Sequence, residues 1–293
     1  MLELQDVSRS FGGTPVLHDV SFNVQPGRMT GFVGANGAGK TTTMRIILGV
    51  LSADHGTVSL NGARLTELDR RRFGYMPEER GLYPKMKVLE QITYLARLHG
   101  LSASQAGRNA SDLLERLGLT ERANDAVEKL SLGNQQRAQI AAALVHDPEV
   151  LVLDEPFSGL DPIAVETVQA VLKEYASRGV PVLFSSHQLD IVERLCDDLV
   201  IISGGGIRAA GQRDELREQH SEPRYEILLD GDAGWLRDVP EVTVVDFDGG
   251  YALFDATPDA AQRVLQDALG RGAVASFAPH RPTLAQIFKE VVR

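Results

Sequence analysis

The 293-residue sequence holds one cysteine, Cys196, one tryptophan, and aromatic residues at only 6%. A single thiol excludes an intrachain disulfide and suits a reducing compartment. Its neighbours Leu195 and Val200 mark Cys196 as a core thiol rather than a reactive one. Positive charge is also scarce: 30 Lys and Arg face 40 Asp and Glu, a formal net charge of -10. Without a long basic block, that balance argues against a nucleic-acid-binding surface, and Arg70-Arg71-Arg72 reads as a solvated helix end. No uncharged apolar run approaches the ~20 residues needed to span a bilayer. The opening Met1-Leu2-Glu3-Leu4 has an acid where a secretion signal has its apolar core. The expected location is therefore the cytoplasm, with any membrane role exercised through a partner. At 43% hydrophobic, the chain can build one large or two modest domains.

What is present centres on Gly34-Ala35-Asn36-Gly37-Ala38-Gly39-Lys40-Thr41-Thr42, which fits the phosphate-binding pattern G-x-x-x-x-G-K-[ST] at every fixed position. Before it, Met29 to Val33 reads as a buried strand; after it, apolar residues from Thr42 to Leu51 recur at helical spacing. The stretch thus joins a strand to a helix N-terminus, where unpaired N–H groups and the helix dipole favour an anion. Gly37 and Gly39 let the backbone wrap the β- and γ-phosphates, and Asn36, Ala38 and Thr42 belong to the same nucleotide-binding run. Lys40 supplies a full charge and the Thr41 hydroxyl a ligand for Mg²⁺. The competing reading is a Gly-rich turn that binds nothing. The flanking strand and helix weigh against it.

Around this loop the chain alternates strands and helices. Residues 2 to 7 and Val16 to Val24 alternate apolar and polar, as strands of a small antiparallel sheet, with Phe11 on the turn between them. An aromatic there can stack on a base or pack half-buried. Thr57 to Gly62 suits a further strand and an Asn-Gly hairpin. A helical insert is expected over about residues 86–140, with core-facing stripes Leu89, Ile92, Leu95, Leu98 and Leu113, Leu114, Leu117. Val150 to Leu153, Val180 to Phe184 and Leu199 to Ile202 read as parallel strands, the last closed by Gly204-Gly205-Gly206. Together these predict a doubly wound α/β core with its ligand at the strand C-termini. From 221 to 293 the pattern changes to strands at Tyr225 to Leu229, Val242 to Phe247, Tyr251 to Phe254 and Ala273 to Phe277. Helices are expected from Pro258 to 269 and from Pro282 through Val292. The chain is accordingly divided into an ATP-binding domain at 1–220 and a small C-terminal α+β accessory domain at 221–293.

Two further points of contact lie just past the predicted strands. Asp154 and Glu155 directly succeed the apolar run ending at Leu153, where an Asp reaches Mg²⁺ and a Glu orients or deprotonates the attacking water. A polar strand end at the surface is the plain alternative; delivery of two acids to the same sheet edge as Lys40 favours function. His187 comes after Ser185-Ser186 at that edge, suited to hydrogen-bond the γ-phosphate and keep the water aligned.

These motifs, from Phe11 to His187, resemble those of the nucleotide-binding subunit of an ATP-binding cassette (ABC) transporter. Leu130-Ser131-Leu132-Gly133-Asn134-Gln135-Gln136-Arg137 resembles the family signature, and Ser158-Gly159-Leu160-Asp161 the loop after the second carboxylate. His187 resembles the switch histidine. The signature separates this family from phosphate-loop helicases and kinases. The resemblance implies ATP and Mg²⁺ as ligands, and a phosphate-loop NTPase parallel-sheet core with an antiparallel β subdomain and a helical insert. It implies that Ser131 and Gly133 precede a helix whose N-terminus caps the γ-phosphate held by a second copy. It adds Val16, Gln135 and Asp161 to the nucleotide-contacting residues. Three positions depart from the usual pattern: Leu132 stands where Gly is common, Asn134 where Gln is common, and Glu78 where the family places a Gln near Mg²⁺.

The implied activity is ATP hydrolysis coupled to transport. The implied partners are transmembrane permease subunits and a second ATP-binding subunit, in a homodimer or a heterodimer on the inner face of the cell membrane. Tyr75 to Met86, the signature and the appended C-terminal domain are similar to those of bacterial subunits that serve drug, sodium or heme-type exporters. Two rival readings fit less well. Chromosome-type or ribosome-acting relatives would carry a long heptad insert or two cassettes in one chain, and neither is present. A non-hydrolysing regulatory module would be expected to lack Glu155 or His187, and both are here.

Overall fold

Alternation at the N-terminus becomes an antiparallel sheet in the computed structural model, which describes residues 1–79 and 81–292. Strands β1 (Leu2–Phe11) and β2 (Thr14–Val24) form a hairpin whose turn is Gly12-Gly13. Phe11 is the last residue of β1, opposite Thr14, rather than a turn residue. Asp6 and Asp19 sit at positive φ where the register of this pair shifts. The apolar run before the glycine-rich loop is β3 (Met29–Val33), buried at every position. It leads to helix α1 (Lys40–Ile47), which begins two residues before Thr42 because Gly39 itself, at φ 111°, is the N-cap. Strand β4 (His55–Leu60) returns along β1 and turns at Asn61-Gly62 into β5 (Ala63–Arg64). Helix α2 (Glu67–Arg70) starts from a capping box at Thr66. Arg70 is not a solvated helix end: its Nε donates to the Ile47 carbonyl at 2.9 Å.

Strand β6 (Phe73–Met76) precedes the helical insert of α3 (Val88–Leu98), α4 (Ala103–Arg116) and α5 (Leu132–Leu144). In α3 the buried stripe is Val88, Gln91, Ile92 and Ala96. Leu98, expected to face the core, is 64% exposed: it is the last residue of the helix and lies at the edge of that stripe, beyond Gln91 at 100° per residue. The core resumes with β7 (Val150–Leu153), α6 (Pro162–Ser177), β8 (Val182–Ser186), α7 (Leu189–Leu195) and β9 (Asp198–Ser203). β8 starts later than Val180 because Pro181 has no N–H to give to a ladder. The glycine run after β9 is a hairpin rather than a stop: Gly206 opens β10 (Gly206–Gln212), antiparallel to β9.

Among the described residues the first unit, Met1–Arg213, holds two sheets. One is antiparallel, in the order β2-β1-β4-β5; the other runs β10-β9-β3-β8-β7-β6, parallel from β9 through β6. Leu2, Leu4, Val20 and Phe22 of the first sheet share one core with Phe32, Val152, Leu183 and Val200 of the second and Met44 and Ile47 of α1. Gly205 stitches this unit together. Its N–H donates to the Ala38 carbonyl at 3.2 Å and its carbonyl accepts from His18 N at 2.8 Å. At φ 79°, and with a Cβ that would lie 2.3 Å from the Val16 carbonyl, the position admits only glycine without rearrangement.

The second unit is Asp214–Val291. Helix α8 (Arg213–Gln219), within the 1–220 range assigned to the ATP-binding domain, falls on this side of the division except for Arg213. Strands β11 (Arg224–Leu229), β12 (Val242–Asp248), β13 (Tyr251–Ala256) and β14 (Val274–Pro279) form an antiparallel sheet in the order β12-β13-β11-β14. Helix α9 (Pro258–Arg271) packs Ala260, Ala261, Val264 and Ala268 with Ile227, Ala252 and Phe254 of the sheet. Helix α10 (Leu284–Val292) ends the described chain.

Cys196 caps α7 and is 1% exposed, and burial pushes its thiol up to about 12. Native protein at pH 8 should therefore be alkylated by iodoacetamide at least about 100-fold more slowly than the urea-unfolded chain. Mass spectrometry of timed samples measures both rates. Equal rates would contradict the buried placement.

Candidate functional site

Register brings the chemistry together. Met76 pairs with Leu153, Leu153 with Phe184, and Val33 with Ser186, so β6, β7, β8 and β3 finish almost level. The segments just past these strands meet at one sheet edge: Pro77 and Glu78 after β6, Asp154 and Glu155 after β7, His187 after β8, and the glycine-rich loop after β3. They line a cleft of about 570 Å³. The glycine-rich loop and α1 contribute Asn36, Gly37, Gly39, Lys40, Thr41 and Thr42 and β2 contributes Val16; the other strand ends contribute Glu78, Asp154, Glu155 and His187.

The loop is held from beneath. A Cβ on Gly39 would lie 2.5 Å from Leu17 Cδ2 and 3.3 Å from Ile202 Cδ1, so close packing as well as its φ demands glycine. Thr43 Oγ1 donates to the Gly39 carbonyl at 2.9 Å and Ala38 N to the Ala35 carbonyl at 3.1 Å. Lys40, 9% exposed, curls its Nζ over the loop to the Gly34 and Ala35 carbonyls at 2.6 and 3.3 Å. The result is a preformed cationic cradle at a helix N-terminus.

The carboxylates of the cleft are fixed by named partners. Asp154 is 2% exposed; its N–H donates to Met76 at 2.8 Å, and Thr41 Oγ1 donates to its Oδ2 at 3.2 Å. Burial, then the Asp154 charge, raise the nearby Tyr75 phenol above its ordinary value. Glu155 has φ 52°, a left-handed conformation uncommon for a residue with a Cβ. Its backbone is clamped at both ends: N–H to Ser185 Oγ at 2.9 Å, and carbonyl to Gln136 Nε2 at 2.8 Å. Its Oε1 lies 3.0 Å from His187 Nδ1. The acid and the histidine thus form a contact pair that lines the cleft.

Other residues singled out in the sequence lie away from the cleft lining. Phe11 is 45% exposed, with the Arg9 guanidinium 5.0 Å from its ring centre. The Ala38 side chain is buried, and its carbonyl binds Gly205. Ser131 is the N-cap of α5, accepting from Asn134 N at 3.4 Å, and Gly133 lies inside the first turn of that helix rather than before it. Leu132 beside them is 58% exposed. The Gln135 amide turns back to the Val127 and Leu130 carbonyls at 3.2 and 3.1 Å, within its own chain. Asp161 caps α6 through Ala164 N at 2.8 Å.

Sequence reading passed over Ser185 and Gln136. Ser185 is wholly buried; its hydroxyl donates to Asp154 Oδ1 while accepting from Glu155 N, so one oxygen braces both acids. The signal in the sequence was a serine closing an apolar strand, where a hydroxyl must find partners. Ser185→Ala leaves the Glu155 N–H and an Asp154 oxygen unpaired, which should lower stability by about 1–3 kcal/mol. Urea unfolding monitored by circular dichroism tests this. An unchanged midpoint would show that the hydroxyl carries no such burden.

The chain is similar to known proteins. Residues 17–158 match the ABC transporter family, and residues 211–292 match the family described as ATP-binding protein DrrA1-3-like, C-terminal domain. The chain is 39% identical, over its whole length and 98% of the relative, to the uncharacterized ABC transporter ATP-binding protein YhaQ of Bacillus subtilis (strain 168). It is 37% identical to Nod factor export ATP-binding protein I of Cupriavidus pinatubonensis, across 74% of this chain and 67% of that one. A solved structure of the ATP-binding subunit of an ABC transporter superposes with a TM-score of 0.69 at 36% identity, covering 75% of this chain and 92% of the other. The cradle, the paired carboxylates and these likenesses agree, and the chain belongs to the ATP-binding proteins of ABC transporters.

Proposed function

We propose that this ABC transporter ATPase carries out hydrolysis with Glu155 as the base, His187 as its partner, and Lys40, Thr41, Asp154 and Glu78 holding the phosphates and Mg²⁺. The observation that carries the reading is the 3.0 Å contact between His187 Nδ1 and Glu155 Oε1 in the cleft that Lys40 also lines. In it, Lys40 and the N–H groups of the loop bind the β- and γ-phosphates, Glu155 takes the proton of the attacking water, and His187 uses its other ring nitrogen on the γ-phosphate. The donor set suits Mg²⁺: Thr41 Oγ1 and Asp154 Oδ2 are hard oxygens already 3.2 Å apart. Thr41, Asp154 and Glu78 would hold the ion, with phosphate and water oxygens completing its shell. When bound, the ion neutralises charge on the β- and γ-phosphate oxygens.

Ser131 and Gly133 do not line the cleft that contains Lys40 of the same chain. We therefore assign them, with Gln135 and Asp161, to the nucleotide of a second ATP-binding subunit in a homodimer or heterodimer. Phe11 and Val16 are assigned to the base. Among the described residues no helix is long and apolar enough to cross a membrane. In this proposal the chain sits on the inner face of the membrane against permease subunits and powers export, the direction that the Nod factor relative's description supports. The chain from 221 onward acts as a separate accessory domain on assembly.

Glu155→Gln and Lys40→Ala should fail differently. The amide keeps the shape of Glu155 but takes no proton, so hydrolysis should slow by ~10² to 10⁴, about 3 to 5 kcal/mol, with ATP binding retained. Lys40→Ala removes charge from the ground state too and should weaken ATP binding itself. Calorimetry and single-turnover hydrolysis separate the two. Parent-like turnover in the first, or parent-like affinity in the second, removes that residue from its role.

Glu78 brings an additional negative charge to a cleft that already holds Asp154 and Glu155. ATP affinity should therefore depend steeply on Mg²⁺, and Glu78→Gln should flatten that dependence while keeping activity within about tenfold. Superimposable affinity curves for parent and variant across a Mg²⁺ series would place Glu78 outside the metal shell.

A further inference from the structure

Helix α5 begins at the signature serine, and two of its glutamines lie one turn apart on its inner face. Gln136 and Gln139 are each only 4% exposed. Gln136 Nε2 donates to the Glu155 carbonyl at 2.8 Å. Gln139 Nε2 donates to the Pro77 carbonyl at 2.7 Å and the Glu79 carbonyl at 3.2 Å, gripping the backbone on either side of Glu78. Both acids need such a hold. Glu155 stands in a left-handed conformation that persists only when its surroundings over-determine it. Glu78 lies past the end of β6, where neither helix nor strand fixes its backbone.

We propose that Gln136 and Gln139 are positioning residues for ATP hydrolysis, fastening the backbones of Glu155 and Glu78 to the single helix that the signature opens. Neither amide touches the cleft, so each acts through the acid whose main chain it holds. The spacing makes this one device. Residues three apart share a face of a helix, and a rise of about 1.5 Å per residue puts both backbone positions within about 12 Å of Ser131 along the axis. Any shift of the α5 N-terminus therefore displaces both carboxylates of the same chain together. The inference rests on the roles proposed above for Glu155 and Glu78.

The test uses the full chain and substitutions to Met, which keep side-chain length but remove the donor. Gln136→Met should slow single-turnover hydrolysis about 10- to 100-fold with ATP affinity within about twofold of the parent. Combined with Glu155→Gln it should add nothing, because its effect passes through that carboxylate. Gln139→Met should flatten the Mg²⁺ dependence of ATP affinity and add nothing to Glu78→Gln. Additive losses in either pair, or an affinity loss as large as the rate loss for Gln136→Met, would overturn the proposal. Should a Met variant fail to fold, the shorter amides Gln136→Asn and Gln139→Asn, which cannot span the same gap, carry the same two cycles. Failure of the underlying reading looks different: Glu155→Gln or Glu78→Gln alone would then behave as the parent.

Discussion

Everything in the first unit depends on parallel strands that are buried along their length and end level with one another. β3, β7 and β8 are buried at every position, so their register is fixed by packing on both faces. Once that register is set, polar residues placed just after each strand converge without long-range guidance. The glycine-rich loop, two acids and a histidine are thereby brought to one edge, where the dipole of α1 already favours negative charge. A slip of one residue in β7 would turn Asp154 and Glu155 to opposite sides.

The site is also tense. A non-glycine residue at φ 52°, two acids nearly buried beside each other, and a lysine with little exposure are each unfavourable in isolation. They persist because their polar atoms are matched: Ser185 between the acids, Gln136 on the strained carbonyl, loop carbonyls around the ammonium. The apolar strands supply the stability, and the edge spends some of it.

The parts legible in the sequence are those ruled by local sterics and period. The glycine-rich loop could be read because Gly39 must be glycine, and β3 and β7 because their apolar runs are too short for helices and end at a glycine-rich loop and at paired acids. The turn at Asn61-Gly62 and the start of α9 at Pro258 were readable for the same reason. What escaped depends on partners distant in sequence. Nothing local announces that Ser185 serves two acids thirty-odd positions away, or that Gln136 and Gln139 reach back to Glu155 and Pro77. β10 was missed because its alternate positions are Gly, Ala and Arg rather than large apolar residues, and Leu98 was misplaced because a stripe of leucines drifts around a helix.

Gly205 has a wider meaning than its place in a hairpin. By bonding to Ala38 on one side and His18 on the other, with no room for a Cβ against Val16, it welds the wall proposed to meet the base to the loop proposed to meet the phosphates. Those two surfaces form a stiff template of fixed span, so a nucleotide arriving there finds the distance between its two ends already measured. Little ordering of the protein then opposes its capture. The acids of the cleft take their hold from elsewhere, Glu155 from Ser185 and Gln136 and the backbone around Glu78 from Gln139.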